Sequence, residues 1–146
     1  MVIKFVIPGE PKGKGRPRLG RSGHAYTPHD TAVYENLVKV CFKGEYPEFP
    51  PIGPDTGITV RIIAYYGIPK STSKKKRLAM LLEHLRPLKK PDCDNIVKIV
   101  CDALNGIAYH DDAQIYELYF IKKYSDTPRV EMSIGWETDN EQYGSE

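Results

Sequence analysis

The segment between Asp92 and Ile115 constrains the fold more than any other part of this 146-residue sequence. It reads DCDNIVKIVCDALNGIAYHDDAQI and contains five Asp and one Lys. Apolar residues cover most sides of a helix drawn through its middle, namely Ile96, Val97, Ile99, Val100, Cys101, Ala103 and Leu104. The pattern predicts a buried helix with one polar seam, in which Asp94, Lys98 and Asp102 follow at i,i+4 spacing.

Carboxylates stand at both ends of this predicted helix. Asp92 and Asp94 are two residues apart. If the chain that leads into the helix is extended, both side chains point to the same side. Asp111-Asp112 follow in the next loop, beyond the helix end that Asn105-Gly106 predicts as a left-handed C-cap. Clustered carboxylates on a mostly apolar surface need a counter-charge, and a hard cation such as Mg²⁺ prefers oxygen ligands. We therefore predict a magnesium site at these acids.

Each of these residues alone also has an ordinary structural explanation. Asp in front of a helix is a common N-cap, Lys98 with Asp94 or Asp102 is a common i,i+4 pair, and Asp111-Asp112 suits a solvated turn. Capping accounts for one Asp, however, and not for two that flank Cys93 and a second pair beyond the helix. Taken together, the residues favour a binding site.

Two other binding motifs fail on their spacing. D-x-D-N begins like an EF-hand calcium loop, but Ile96 and Val97 stand where an oxygen ligand and a glycine are needed. PGEPKGKG (8–15) is one residue short for a phosphate-binding loop, and Gly15 stands where Ser or Thr would hold the metal.

Charge is clustered although the net charge is only +2. Up to Ala25, six Lys and Arg stand against Glu10 alone, and from Lys70 to Lys90 eight basic residues stand against Glu83. From Glu131 onward there are five acids and no base. Because an electrostatic footprint depends on clustering and not on the sum, two basic segments of this kind favour a nucleic-acid partner.

Hydrophobic periodicity predicts the remaining elements. Strands are expected at 2–7, 57–66, 115–124 and 129–136, and further helices at 27–42 and 71–86. Residues 8–26 are expected to form a long basic loop, and 46–54 a proline-rich linker. The last two strands predict a C-terminal antiparallel hairpin. The expected fold class is α+β, a single domain (1–136) with helices packed on a mixed sheet, followed by an acidic tail (137–146).

Length and composition place the chain among small soluble domains with one core. No apolar run is long enough to cross a membrane, and the first strand stops at Pro8-Gly9, too early for a secretory signal. We therefore expect a cytoplasmic protein without a membrane partner. Cys41, Cys93 and Cys101 have no metal-ligand spacing, so they are expected to be reduced and mostly buried, with Cys93 turned into the core.

Three blocks of this sequence resemble the signature of the RusA family of Holliday junction resolvases. They are Lys90-Pro91-Asp92-Cys93-Asp94-Asn95-x-x-Lys98, Asp102-Ala103-Leu104-Asn105-Gly106 and Asp111-Asp112-Ala113-Gln114-Ile115. The first half of the chain resembles phage-type members through Pro8-Gly9-x-Pro11, Gly15-Arg16-Pro17-Arg18, Tyr26-Thr27-Pro28 and Tyr34-Glu35. The likeness covers nearly the whole chain apart from the acidic tail. One departure is Leu88-Lys89-Lys90-Pro91, which replaces the arginine-rich stretch of some members.

The resemblance implies a Mg²⁺-dependent, structure-selective endodeoxyribonuclease that resolves Holliday junctions by paired phosphodiester hydrolysis in DNA recombination and repair, with Mn²⁺ as an alternative ion. It makes Asp92, Asp94, Lys98 and Asp112 the catalytic residues. Of these, Asp92, Asp94 and Asp112 would bind the metal, with Asp111 adjacent and secondary. Branched DNA, four-way junctions in particular, is the implied partner. A homodimer is implied as well, because a two-fold symmetric junction is cut on two opposed strands.

The basic segments are expected to contact DNA phosphates. The residues assigned to this contact are Lys12, Lys14, Arg16, Arg18, Arg21, Lys74, Lys75, Lys76, Arg77, Lys89 and Lys90. A solvated charge run is the alternative for 74–77. For the whole protein two alternatives stay open: a looser flap or branch nuclease that uses the same acids, and a non-catalytic branched-DNA-binding protein with a structural metal site.

Overall fold

The computed structural model of the chain describes residues 1–15, 18–21, 23, 25–26 and 28–138. Arg16, assigned above to DNA contact, Thr27, the predicted start of a helix, and residues 139–146 of the tail lie outside this part. The strands are β1 (Val2–Pro8), β2 (Arg18–Leu19), β3 (Ala25–Tyr26), β4 (Ile58–Gly67), β5 (Ile115–Ser125) and β6 (Arg129–Trp136). The helices are α1 (His29–Glu45), α2 (Lys74–Leu81) and α3 (Cys93–Ala103), with a 3₁₀ turn at Asp112–Gln114.

Four strands form one mixed sheet in the order β1-β6-β4-β5. β4 pairs in parallel with β5 and antiparallel with β6, and β6 also pairs antiparallel with β1. The register places Met132 opposite both Phe5 and Ile62, and Ile62 opposite Phe120. The predicted α+β class with a mixed sheet is confirmed. β2 and β3 form a separate two-residue ladder inside the predicted basic loop.

The two C-terminal strands are present, consecutive and antiparallel, but the hairpin needs a correction in its pairing. β4 lies between β5 and β6, so the two strands do not bond to each other. Burial explains this order. Val130, Met132 and Ile134 of β6 are at most 1% exposed and suit an inner strand, whereas Tyr116 and Tyr119 of β5 are exposed and suit the edge.

The core lies where α1 and α3 pack together, with α1 against β1 and α3 against β5. α1 begins after Pro28 and buries Thr31, Tyr34, Val38 and Phe42, which recur at the spacing of one helical face. A single core cluster joins these residues to the apolar side chains of α3 and to the inner face of the sheet. The helix pair therefore fixes the position of α3 relative to β5.

α3 differs from the predicted helix in how much of its surface is buried. Ile96, Ile99, Val100, Cys101 and Ala103 are buried, as expected for its apolar residues. Its first turn is exposed, however, and the prediction that Cys93 turns into the core is wrong. α1 and the sheet cover only one side of the helix, so the other side is left to line a cleft. The helix ends as predicted, with Gly106 at a φ of +75°.

α2 is shorter than the predicted helix over 71–86. Ser73 caps its start, and its hydroxyl accepts a hydrogen bond from the Lys76 amide at 3.3 Å. The helix ends at Leu81, and Glu83 then takes a left-handed φ of 66° that turns the chain away. None of the helices in the described part of the chain is long and apolar enough to span a bilayer.

Candidate active site

A cleft of about 510 Å³ opens between the exposed side of α3 and strand β5. The residues that line it are Cys93, Asp94, Val97, Lys98, Cys101, Asp112, Ile115, Tyr116, Glu117, Leu118 and Phe120. Three of the four predicted catalytic residues, Asp94, Lys98 and Asp112, therefore share one cleft. The fourth, Asp92, lines an adjoining depression that shares Cys93 and Phe120 with the cleft.

Asp92 occupies the N-cap position of α3 but does not act as a cap. Its backbone has the extended conformation of an N-cap, and its side chain accepts no hydrogen bond from the amides of that turn, all of which are described. The carboxylate is 54% exposed, with the Lys90 ammonium 3.9 Å away. The backbone at this point is held by Tyr66, whose hydroxyl donates to the Pro91 carbonyl at 2.7 Å. The Asp92 carboxylate is therefore not used to cap the start of α3.

Asp111 and Asp112 are adjacent in sequence but have different surroundings. Asp111 caps the 3₁₀ turn: its carboxylate accepts from the Ala113 amide at 3.0 Å, and the Gln114 side chain accepts from the Asp111 amide at 2.9 Å. The Asp112 amide donates to the Asn105 side chain at 2.8 Å, which leaves the Asp112 carboxylate in the cleft. Burial, reinforced by the nearby Asp102 carboxylate, raises the pKa of Asp112.

Lys98 is held at the cleft by Asp102, one helical turn further along α3. The Lys98 ammonium lies 3.0 Å from Asp102 Oδ1. This hydrogen bond and the charge of Asp102 raise the pKa of Lys98, although burial opposes the rise. The lysine is therefore a fixed positive charge beside the acids at neutral pH.

The acids of the cleft fit a hard divalent cation by their chemistry. Asp94, Asp112 and Glu117 supply only oxygen ligands, the type that Mg²⁺ prefers. Burial, and after it the neighbouring Asp102 carboxylate, raises the pKa of Asp112, so a cation at this carboxylate would favour its charged form. Among the described residues, however, no three His, Cys, Asp or Glu side chains are close enough to hold one ion. The predicted ligand set of Asp92, Asp94 and Asp112 is thus spread over the cleft and the adjoining depression, and it stays a prediction.

Two acids of this region were not among the predicted site residues. Glu117 lies in β5 and lines the cleft. It stands outside the acidic motif of residues 92–115, on which the prediction rests. Its strand periodicity was the only signal that could place it on that face. Asp102 belongs to the predicted polar seam, where its spacing from Lys98 predicts only an ordinary i,i+4 pair.

The residues assigned to DNA contact fall into three groups. Lys12, Arg21, Lys74, Lys75, Lys76, Lys89 and Lys90 are exposed. Lys14 and Arg77 are engaged within the protein, Lys14 with Glu35 and Asp102 and Arg77 with Asp126. Arg16 lies outside the described residues, and Arg18 is described only as part of β2. The DNA contacts themselves remain predictions.

Fold and cleft together define a small α+β protein with carboxylates and a lysine on one open surface. Comparison with known proteins agrees with this class. The family described as "Endodeoxyribonuclease RusA" matches residues 8–135, which is most of the chain. The chain belongs to the RusA endodeoxyribonuclease family. It is therefore placed among nucleases that act on DNA, and the family implies resolution of Holliday junctions with a divalent metal ion.

A relative in Bacillus subtilis (strain 168) is similar along almost its whole length. "Uncharacterized protein YqaN" is 39% identical over 137 residues, which cover 90% of this chain and 94% of that protein. Its name assigns no activity, so the family match carries the functional conclusion.

Proposed function

We propose that this protein is a Mg²⁺-dependent crossover junction endodeoxyribonuclease that cuts Holliday junctions and related branched DNA during recombination and repair in the cytoplasm. The observation that carries the proposal is the placement of Asp94, Lys98 and Asp112 on one open cleft of a RusA-family fold. Hydrolysis of a phosphodiester needs a positioned water, neutralised phosphate oxygens and a stabilised leaving oxygen. The cleft holds residue types suited to each task.

The carboxylates would hold the metal, with Asp92, Asp94 and Asp112 as its ligands and Glu117 beside them. When bound, the ion would supply a water of lowered pKa and charge neutralisation at the phosphate. Lys98 would stabilise the negative charge that develops on the phosphate, because Asp102 keeps it protonated and close to the cleft. Asp92 and Asp94 are exposed, so rotation of their side chains is the movement that would close the ligand set.

Exposed basic side chains support binding of DNA next to the cleft. The exposed Lys89 and Lys90 precede Asp92. Arg86 and the half-buried Lys122 line the depression that Asp92 shares, although Lys122 also donates to the Lys89 carbonyl at 2.8 Å. Each phosphate that these cations neutralise would contribute to a salt-dependent affinity. The lysines at 74–76 lie at the start of α2.

We further propose that two copies act together. A junction with two-fold symmetry is cut on two opposed strands, which two symmetry-related clefts would reach. β5 supports this arrangement, because it is an edge strand with the exposed apolar residues Tyr116, Leu118 and Tyr119.

The proposal is tested with a synthetic four-way junction, Mg²⁺ and the Asp94→Asn variant. Wild-type protein should cut paired strands. The variant should cut on the order of a hundredfold more slowly or worse, because it lacks one proposed ligand of the ion that would stabilise the charge in the transition state. Junction affinity, measured by mobility shift in Ca²⁺, should persist in the variant.

Three other results would decide against the proposal. A wild-type protein that binds junctions without cutting them, and that loses thermal stability in chelator, would be a binding protein with a structural metal. Equal cutting of flaps and junctions would indicate the looser nuclease. Unchanged cutting by Asp94→Asn would remove this cleft from the chemistry.

A further inference from the structure

The loop segment 11–15 is fixed between two helices and is not free to follow a phosphate backbone. The Lys14 amide donates to the Asn95 carbonyl of α3 at 2.9 Å. The Gly15 amide donates to the Thr31 hydroxyl of α1 at 2.9 Å, and Thr31 is buried. The segment thus bridges the starts of α1 and α3.

Both glycines of this segment are required by close approach to those helices. A Cβ at Gly13 would lie 2.9 Å from the Pro91 side chain and 3.1 Å from that of Asn95. A Cβ at Gly15 would lie 2.7 Å from the Thr31 hydroxyl oxygen. Neither distance leaves room for a side chain, so these glycines serve packing against the protein itself.

Lys14 is consequently directed at acids of the protein. Its ammonium lies 3.0 Å from Glu35 Oε1 of α1 and 3.5 Å from Asp102 Oδ2 of α3. The side chains of Lys14, Glu35 and Asp102 are only 22%, 16% and 18% exposed, so solvent screens this cluster less than a surface pair.

Asp102 connects this cluster to Lys98. Its Oδ1 accepts from the Lys98 ammonium at 3.0 Å, while its Oδ2 faces Lys14. The Lys98 side chain is 58% exposed, and it would sample many rotamers without such a partner. One carboxylate with a lysine at each oxygen is restricted in its own rotation, and this restriction extends to Lys98.

We infer that Lys14 and Asp102 are positioning residues for Lys98, and that Lys14 is not a DNA contact. The chain Glu35–Lys14–Asp102–Lys98 links α1, the basic loop and α3, and it presents the Lys98 ammonium to the cleft in one orientation. This inference rests on the proposed nuclease function, because its consequence is the rate of the cutting step.

The test is single-turnover cutting of a four-way junction at saturating protein, with affinity and its salt dependence measured separately. Lys14→Met keeps the length of the side chain and removes its charge. We expect the cutting rate to fall on the order of tenfold or more, since small misplacement of a catalytic group is costly. Affinity and salt slope should stay at wild-type values, and Lys14→Arg should recover most of the rate. Lys43→Met, an exposed lysine on α1, is the matched control and should cut as wild type.

A second variant keeps the test decisive if Lys14→Met folds poorly in a thermal melt. Asp102→Asn retains the shape of the carboxylate and should show the same loss of rate with unchanged affinity. Combining it with Lys14→Met should cost little more than either change alone, because both act on Lys98.

Two results would overturn the inference. If Lys14→Met cuts at the wild-type rate at saturation but binds more weakly with a shallower salt slope, Lys14 contacts phosphate. If the double variant shows the product of the two single losses, the residues do not act through Lys98. Failure of the proposed function gives a different pattern, in which wild type itself does not cut and Lys98→Met changes nothing.

Discussion

Two aspartates of this protein occupy the same local position, and only one of them acts as a cap. Asp92 precedes α3 and Asp111 precedes the 3₁₀ turn, and both have the extended backbone of an N-cap. Asp111 bonds the Ala113 amide, whereas Asp92 makes no capping bond within its described turn. A carboxylate in front of a helix is thus assigned by its hydrogen bonds and not by its place in the sequence.

The surroundings of the two turns account for the difference. The 3₁₀ turn is fixed to the loop that precedes β4, because the Gln114 side-chain Nε2 donates to the carbonyls of Gly53 and Thr56 at 2.6 and 3.0 Å. The start of α3 is fixed through its backbone instead, by Tyr66 at Pro91 and by the loop at Asn95. The Asp92 carboxylate therefore makes no capping bond, and apart from the Lys90 ammonium at 3.9 Å it is largely open to solvent.

The largest expected effect is on cutting, and it compares Asp92→Asn with Asp111→Asn. Both changes neutralise one carboxylate and keep its shape, and Asn is as good an N-cap as Asp. Asp92→Asn should lower the single-turnover cutting rate on the order of a hundredfold or more, as expected when charge stabilisation is lost. Asp111→Asn should stay within about twofold of wild type, because an N-cap amide replaces the carboxylate. If the two variants exchange these outcomes, Asp111 is the metal ligand and the comparison fails.

A smaller effect is expected on stability when the 3₁₀ turn loses its anchor. Gln114→Ala removes the side-chain contacts to the carbonyls of Ile52, Gly53 and Thr56 and the bond accepted from the Asp111 amide, and it leaves the partly buried Thr56 carbonyl without this donor. We expect the free energy of unfolding to fall by about 2 kcal/mol, measured by urea denaturation. Tyr66→Phe at the start of α3 removes one bond and is the control, with about half that loss expected. A loss below that of Tyr66→Phe would show that the turn is held by packing alone.

The smallest expected effect is on stability, and it compares the loss of the Asp111 side chain with the loss of the Asp92 side chain. Asp111→Ala should lower the free energy of unfolding by about 1 kcal/mol, the usual cost of removing a cap. Asp92→Ala should change it by a few tenths of a kcal/mol at most, since an exposed side chain without a capping bond contributes little. Equal losses at the two positions in urea denaturation would mean that Asp92 caps α3 in solution.

The sequence predicted the elements well where a periodic pattern decided them. β6 is found at the predicted residues 129–136, β1 and β5 each extend one residue beyond the prediction, and β4 is shifted by one residue at both ends. α2 was predicted too long because charged helix formers continue to Arg86, while Glu83 turns the chain at φ 66°. β5 and β6 were wrongly predicted to pair with each other, because strand periodicity tells which face is buried and not which strand is the neighbour.

At the candidate site, too, the sequence predicted features that depend on local spacing and failed where contacts between distant residues decide. Spacing along α3 placed Asp94 and Lys98 on one seam, and the structure has both in the cleft. The clustering of basic residues assigned Lys14 to DNA contact, because the sequence shows a basic loop and not the two acids that meet Lys14 in the structure. Burial of Cys93 was wrongly predicted for a similar reason, since its neighbours in sequence are not its neighbours in space.

By itself, the sequence determined the helix with its polar seam, the strands, the fold class and the set of acids and lysine to which the chemistry is assigned in our proposal. These are properties of spacing along the chain, and local geometry translates spacing into faces. Tertiary structure decided the strand order, the cleft between α3 and β5, and which charges are committed to the protein. Such choices depend on contacts between residues far apart in sequence, as the meeting of Lys14, Glu35 and Asp102 shows.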